Sequence, residues 1–554
     1  MAENTLTLVV PEGMTLGTLA SSLFPNLESY AGQVMTTPPL MSAKEEGRTS
    51  RKHVVRAARQ VERQSEHIRG GIDKKVDYTV GPRLRVHPRP DFESLGITDL
   101  VAQDKLVRSM NREFRNWGYD PRFLQDGEGH CDFGGLMWQA FRGVTGPDGE
   151  CVLVIHYDEK RRKEFNGRWA TYVDLVDPDR VDTPAKHTGN KNIVDGIVLD
   201  PRGSRRIGFF VQKVHPSDQI TDSSDLEFEL VPRETKTGRP VGVHFFVKRR
   251  PSQLRGLSTL VSVIKQTGMV DKFDDAYLAA AIINQVLATW IETDSGTEQA
   301  QENIAPAPET DTSVTGGWGL FQKKLGYYDK AKIRIGGARI PVMPMGDKIH
   351  MEGANRSMED PSALRDGFLR MISSAIGLSF EQLAQRFGDS NFSAARAAFE
   401  DAMIGILRDR YLFGISVPAQ VYAAVIEEAW VKGRLDLPDG APDFYENRTA
   451  YIGCDITGPA KPQVDPVKEA NADKINLENK TTSRQAIIAS NGQDYVDVFD
   501  QIAKERKEAE ERGFTLDPLA PGTPGAAGAD PAGQEAAEEE AAAQAEATPT
   551  GQEN

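Results

Sequence analysis

Residues 374–401 read SAIGLSFEQLAQRFGDSNFSAARAAFED. An apolar-periodic helix, PSALRDGFLRMISSAI at 361–376, stops at Gly377. The turn LSFEQL and a run of polar residues follow, and SAAR opens the next helix. That succession sets a short polar loop between two long helices. The downstream helix spans 394–430, with Pro418 expected to kink it. Upstream, GLSTLVSVIKQTGMVDKFDDAYLAAAIINQVLATWIE (256–292) is the longest apolar-periodic segment of the chain. Helical throughout, its ~36 residues at 1.5 Å each would reach ~54 Å, with Gly268 a candidate bend. Between these helices lie a polar stretch at 293–317, read as a mobile loop, and short strands in KIRIGGARIPVMP.

The chain ahead of 256 is patterned differently. Two helical pieces, ITDLVAQDKLVRSMNREFRNW and FGGLMWQAFRG, are separated by PRFLQDGEGHC. Strands then dominate to about 250: CVLVIHYDE, RWATYVDLVDPDRV, IVDGIVLD, RIGFFVQKV and VGVHFFVKR. Strands in runs, without βαβ alternation, predict an α+β body with a mostly antiparallel sheet. From Arg51 to Arg69, Val54, Val55, Ala58, Val61, Ser65 and Ile68 recur at helical spacing. Gly70–Gly71 is expected to stop that helix and KKVDYTVGPRLRVHP to form strands. Residues 51–89 hold eleven Lys/Arg against four Asp/Glu. Such a stretch is either a helix face packed on acidic neighbours or a surface for DNA or another subunit. After the kinked helix come a strand-like YIGCDITGP and further helices to about 512. Residues 513–554, rich in Ala, Glu, Pro and Gly, are expected to be a disordered acidic tail.

Composition narrows the function. Of 554 residues, 39% are hydrophobic and 27% charged, as in a soluble, folded, multi-domain chain. No uncharged apolar run approaches the ~20 residues of a membrane span, and the first residues lack a secretory pattern. Cys131, Cys151 and Cys454 form no CxxC pair, which fits a reducing cytoplasm without a disulfide framework. The net charge of −15 speaks against a binder that grips phosphates by neutralising them. The tail carries −8 of it, leaving about −7 for the first 512 residues by difference. The catalytic and metal-binding patterns are missing: GxxxxGK[ST], HExxH, GxSxG and GxGxxG do not occur. His130–Cys131 stands alone as a ligand pair. Asp174, Asp177, Asp179 and Asp182 suggest a divalent cation or a metal-dependent nuclease, but read better as a strand ending in an Asp-Pro turn. The expectation is therefore a protein with no catalytic residues, cofactor or metal.

Several stretches together resemble the lambda family of phage portal proteins. They are HFFVKRRPSQLRGLSTL (244–260), with Gln253, Arg255 and Gly256 at the helix head; KFDDAYLAAAIINQVLATWIE; and ARIPVMPMGDKIHM leading into 374–401. The GGI.KKVDYTVG run, VDLVDPDRV and the segment DPVKEANADKINLEN…TTSRQAI…NGQDYVDVF also fit, so the likeness covers about 50–510.

The resemblance implies an α+β portal fold assembled as a cyclic ring, typically a dodecamer. After an arm at 1–50 would come an α+β wing at 51–256 and a stem helix at 257–292. A small α/β clip would follow at 293–355, then a second stem helix at 356–379 and a tunnel loop at 380–393. A long helix at 394–439 would return to the wing, ahead of a wing or helical crown region at 440–512. Gln385, Arg386, Asp389 and Asn391 would then approach the DNA. Read from its residues alone, that loop is an ordinary helix–helix connection. Leu260, Ile264, Ile282 and Val286 are expected to make contacts within and between subunits. Implied partners are double-stranded DNA passing without sequence preference, the terminase large subunit, a head-completion or adaptor protein, and the major capsid and scaffold proteins. No membrane is implied, and the implied location is the portal vertex of the virion, after assembly in the host cytoplasm. Another virion protein, capsid or adaptor, and a metal-dependent DNA-processing enzyme are the alternatives.

Overall fold

The computed structural model describes residues 40–218, 227–287, 334–335, 338–339, 361–386, 392–460 and 466–513. Most of the arm, nearly all of the expected clip and the acidic tail lie outside them. The chain divides into two compact units, Met1–Pro466 and Val467–Asn554.

The first unit opens with α1 (Ala43–Gln64), which begins inside the segment read as an arm because Ser42 caps it, accepting from the Glu45 amide. Ser65 ends α1 and caps α2 (Glu66–Thr79), its hydroxyl accepting from the Ile68 amide. The expected stop at Gly70–Gly71 is wrong, and so is the strand read into KKVDYT. Ile68, Ile72 and Val76 are buried at four-residue spacing, and their burial carries the helix through both glycines. Gly71 is there for space: a Cβ would stand 2.6 Å from Leu383 Cδ1.

β1 (Arg85–Pro88) pairs antiparallel with a strand some 370 residues later, introduced below. Aspartates cap the next two helices, Asp99 on α3 (Leu100–Gly118) and Asp132 on α4 (Phe133–Thr145). β2 (Cys151–Tyr157) leads through α5 (Glu159–Glu164) to β3 (Thr171–Val176). A meander follows: β4 (Ile193–Val194), β5 (Ile197–Leu199), β6 (Arg206–Gln212) and β7 (Phe228–Pro232), and then β8 (Gly242–Phe245). The strands make two sheets where one was expected, β3-β2-β8 and β4-β5-β6-β7, antiparallel throughout. β7 escaped the sequence reading because Val231 alone of its five residues is buried. A second, smaller core of Val152, Val154, Ile197, Phe209, Val211 and Val231 joins the two sheets.

Ser258 caps a single 3₁₀ turn, Thr259–Ser262, and α6 (Ile264–Leu287) follows. The long helix thus begins at Ile264, later than the expected 257, and Gly268 lies inside it. After the strand fragments β9 (Arg334–Ile335) and β10 (Ala338–Arg339) come α7 (Pro361–Ile376), α8 (Phe380–Ala384) and α9 (Phe392–Ser416). At the expected kink, Val417 interrupts the helix for one residue and Pro418 opens α10 (Pro418–Val431). α10 is buried on nearly every face and runs through the main core, as its Val/Ala/Ile composition requires. Phe114 of α3 packs on Phe133 and on Tyr422 of α10, with ring centroids at 5.1 and 5.3 Å. Buried Glu428 accepts from the Ala170 and Thr171 amides, fixing the start of β3. α11 (Arg448–Tyr451) and β11 (Cys454–Thr457), the partner of β1, close the unit.

The second unit carries α12 (Pro466–Glu478), α13 (Arg484–Ser490) and α14 (Tyr495–Glu511), with Ser483 and Asp494 as caps on the last two. Among its described residues, the one buried apolar side chain is Ala509. Among the described residues, no helix is long and apolar enough to cross a membrane.

Candidate functional site

Two constructions govern how the long helices meet the rest of the first unit. The first is at the head of α6. Glu150, 0% exposed, directly precedes β2. Its carboxylate accepts from Arg255 Nη2 at 2.6 Å and Nε at 2.9 Å, from Arg51 Nη2 at 2.7 Å and from the Gly256 amide at 2.7 Å. His244 Nε2 lies 3.0 Å away. Arg255 also donates to the Pro178, Val181 and Asp195 carbonyls, each at 2.8 Å. Burial pushes the Glu150 carboxyl up, but Arg255, Arg51 and His244 outweigh it and hold it well below its ordinary range. Burial pushes His244 down. Gln253 accepts from the Arg249 amide at 2.9 Å and donates to the Arg255 carbonyl at 2.9 Å. Gly256 must be glycine because a Cβ would lie 2.2 Å from the Gly149 carbonyl. The QLRG segment therefore locks the lead into α6 onto both sheets. Arg51 and Glu150 are the partners that sequence reasoning missed, and no short-range pattern marks them.

The second construction is the seat of the loop after α7. Gly377, at φ +83°, turns the chain out of α7, and the Leu378 amide donates back to the Ser373 carbonyl. Ser379 and Gln382 form a reciprocal capping box on α8. Gln385 ends α8 in the left-handed region at φ 55°. Lys74 Nζ donates to the Gln382 carbonyl at 2.8 Å. Lys75 Nζ donates to the Ile376 carbonyl at 2.8 Å and pairs with Asp409 of α9 at 3.1 Å. The Arg370 guanidinium lies 4.9 Å over the Phe380 ring.

Of the expected loop residues, Gln385 and Arg386 are exposed, and Arg386 folds back to Asp366 of α7 at 3.2 Å. Asp389 and Asn391 lie outside the described residues. Leu260 is fully buried within its own subunit, in keeping with the contacts inside the subunit expected among the four, and Ile264 is half-buried. Ile282 and Val286 sit on the last turns of α6, where side chains are outside the described part. In the basic stretch, Arg51, Lys52, Arg59, Lys75 and Arg89 meet Glu150, Asp182, Asp148, Asp409 and Asp455 respectively.

The four aspartates of 174–182 do not converge. Asp174 pairs with His156 and Asp182 with Lys52. Asp177 and Asp179 lie near His215, a grouping that could hold an ion, but Arg59 already reaches them at 3.4 and 2.6 Å. His130 and Cys131 have a structural part: both amides donate to Asp126. Burial and Asp126 push the Cys131 thiol up to about 12.

Two relatives by sequence are themselves portal proteins. The chain is 26% identical over 455 residues to the portal protein of Escherichia phage N15, covering 82% of this chain and 83% of that one. It is 25% identical over 455 residues to portal protein B of Escherichia phage lambda, with the same coverages. Among solved structures, the neck of the native GTA particle computed with C12 symmetry is similar over 74% of this chain and 96% of that chain. The identity there is 13% and the TM-score 0.28. The description "Phage portal protein, lambda family" matches residues 33–410, more than half of the sequence, and the chain belongs to that family.

Proposed function

We propose that this subunit closes with copies of itself into a ring, a dodecamer, at one capsid vertex, and that double-stranded DNA passes through it during packaging and ejection. The observation that carries the ring is an uncovered apolar stripe on α9. Ile404 (70% exposed), Leu407, Tyr411 (66%) and Ile415 follow one another at helical spacing, while Met403, Ile406 and Phe413 fill the opposite, buried face. Leu278 of α6 and Leu364 and Met371 of α7 are exposed as well. A monomer has no use for such a stripe, and a head-to-tail contact that closes on itself buries it in every copy. Each side chain fully covered adds about 1.5–3 kcal/mol.

The wing is 51–256, the stem α6 with α7, the clip 293–355 and the crown a part of 440–512. Loop 380–393 faces the channel, with Gln385, Arg386, Asp389 and Asn391 near the DNA. The partners are the terminase motor, then a head-completion or adaptor protein, within a shell of capsid and scaffold protein. The role is structural rather than catalytic. A metal-dependent nuclease has less to stand on, since Arg59 already answers the Asp177–Asp179 pair. Negative-stain microscopy with mass photometry tests the ring. Annular particles with a mass near a dozen 61.0 kDa subunits support it. A stable monomer at high concentration, with and without capsid and scaffold protein, overturns it.

A further inference from the structure

We infer that Lys74 and Lys75 of α2 are positioning residues for the α7–α8 corner that leads into loop 380–393, holding it to the wing; this rests on the reading that the loop faces the channel. The last turn of a helix leaves carbonyls without intrahelical partners, and its dipole favours a cation there. Two consecutive lysines of one helix meet that need at the entry to the loop. Lys75 reaches the Ile376 carbonyl at the end of α7 and, with the same ammonium, Asp409 of α9, the helix that follows the loop. Lys74 reaches the Gln382 carbonyl of α8, three residues before the left-handed Gln385.

The approach is as close as the backbone allows. A Cβ on Gly71 would stand 2.6 Å from Leu383 Cδ1 and 3.0 Å from Ile376 Cδ1. α2 is itself pinned to α4, through Asp73 to Arg142 at 2.8 Å and Asp77 to Trp138 Nε1 at 2.8 Å. Ile72 and Val76 are buried in the main core. Any shift of α2 is therefore carried to α7, α8 and α9 together. Burial alone would ask for apolar residues at 74 and 75; two ammonium groups aimed at helix ends answer a need for direction.

The test uses the full-length protein with Lys74→Met, Lys75→Met and, from the opposite side, Gly71→Ala, which keeps both charges but pushes Leu383 away. Hydrogen exchange is followed by mass spectrometry, beside DNA packaging by particles carrying each variant. Each lost charge-assisted bond should speed exchange about tenfold or more in peptides covering 378–391. Peptides of α10 should stay unchanged, packaging should fall, and Lys74→Arg should restore it. Unchanged exchange at 378–391, or an equal rise in α10, overturns the inference, since the lysines would then only stabilise the fold. A variant shortened at 387–391 separates the two readings. If it packages normally, the channel-facing reading fails, and the exchange result still decides whether the lysines position the loop.

Discussion

Replacing Glu150 by Gln tests whether the head of α6 is held electrostatically. Glu150 is fully buried, and the Arg51 and Arg255 side chains are each 2% exposed. An amide in its place cannot balance either guanidinium, and its NH₂ would face the donors of Arg255 and Gly256. Breaking a buried pair in this way costs about 3–5 kcal/mol, because the remaining charge stays desolvated. Guanidinium unfolding, monitored by tryptophan fluorescence in a matched oligomeric state, should report that loss. Replacing Glu150, Arg51 and Arg255 together by Met should recover much of it, since a buried ionic set can be exchanged for packed apolar groups at little net change. The pH dependence has a defined sign. The folded Glu150 carboxyl lies below its ordinary value near 4.5, so the unfolded state binds more protons. Its contribution is present above pH ~4.5 and lost as the pH falls toward the folded value. His244, pushed below 6.5, adds a separate decline that begins at higher pH. Glu150→Gln should shrink the more acidic decline, to which other carboxylates held low, such as Glu159, also contribute. A loss under about 1 kcal/mol, with that decline undiminished, refutes the reasoning.

Gly256→Ala should destabilise by about 1–3 kcal/mol in the same unfolding assay, because its Cβ meets the Gly149 carbonyl at 2.2 Å. Ile404→Glu and Tyr411→Glu should abolish rings under the electron microscope while moving subunit stability by no more than about 0.5 kcal/mol, both side chains being exposed. Pro418→Ala should leave the break at Val417 in place and change stability by less than about 1 kcal/mol, measured by thermal unfolding, because Pro418 occupies the first turn where its missing amide is not needed. At pH 8 the thiols of Cys131 and Cys454, both pushed up to about 12, should react with Ellman's reagent far more slowly in the native protein than in guanidinium.

The elements legible in the sequence are those whose own periodicity decides them. The α7 reading, 361–376, matches the observed bounds because its apolar spacing is clean and Gly377 marks its end. The misread elements are decided by distant partners. Gly70–Gly71 looks like a helix stop, yet α2 continues because Gly71 must admit Leu383, more than 300 residues away. β1 is fixed by β11, from Arg85↔Thr457 to Pro88↔Cys454. β7 is nearly all exposed and leaves no alternation to read. In the candidate site, QLRG and LSFEQL stand out in the sequence, but their partners, Glu150, Arg51, Lys74 and Lys75, carry no local signature.

This division bears on how an acidic chain would serve the proposed DNA channel. Residues 51–89 look like a phosphate-binding stretch when counted, with eleven cations against four anions. In the folded subunit six of the eleven are engaged: Arg51, Lys52, Arg59, Lys75 and Arg89 face carboxylates and Lys74 faces a helix end, while Arg56, Arg63, Arg69 and Arg83 are exposed. Arg386 in the loop likewise turns to Asp366. Each phosphate a protein neutralises adds affinity with a steep salt dependence. A dense, free cationic lining would therefore hold DNA rather than let it move. Cations committed to helix heads and loop roots build a rigid frame without making the surface sticky. Gln253, Arg255 and Gly256 serve that frame, since all three act within the subunit.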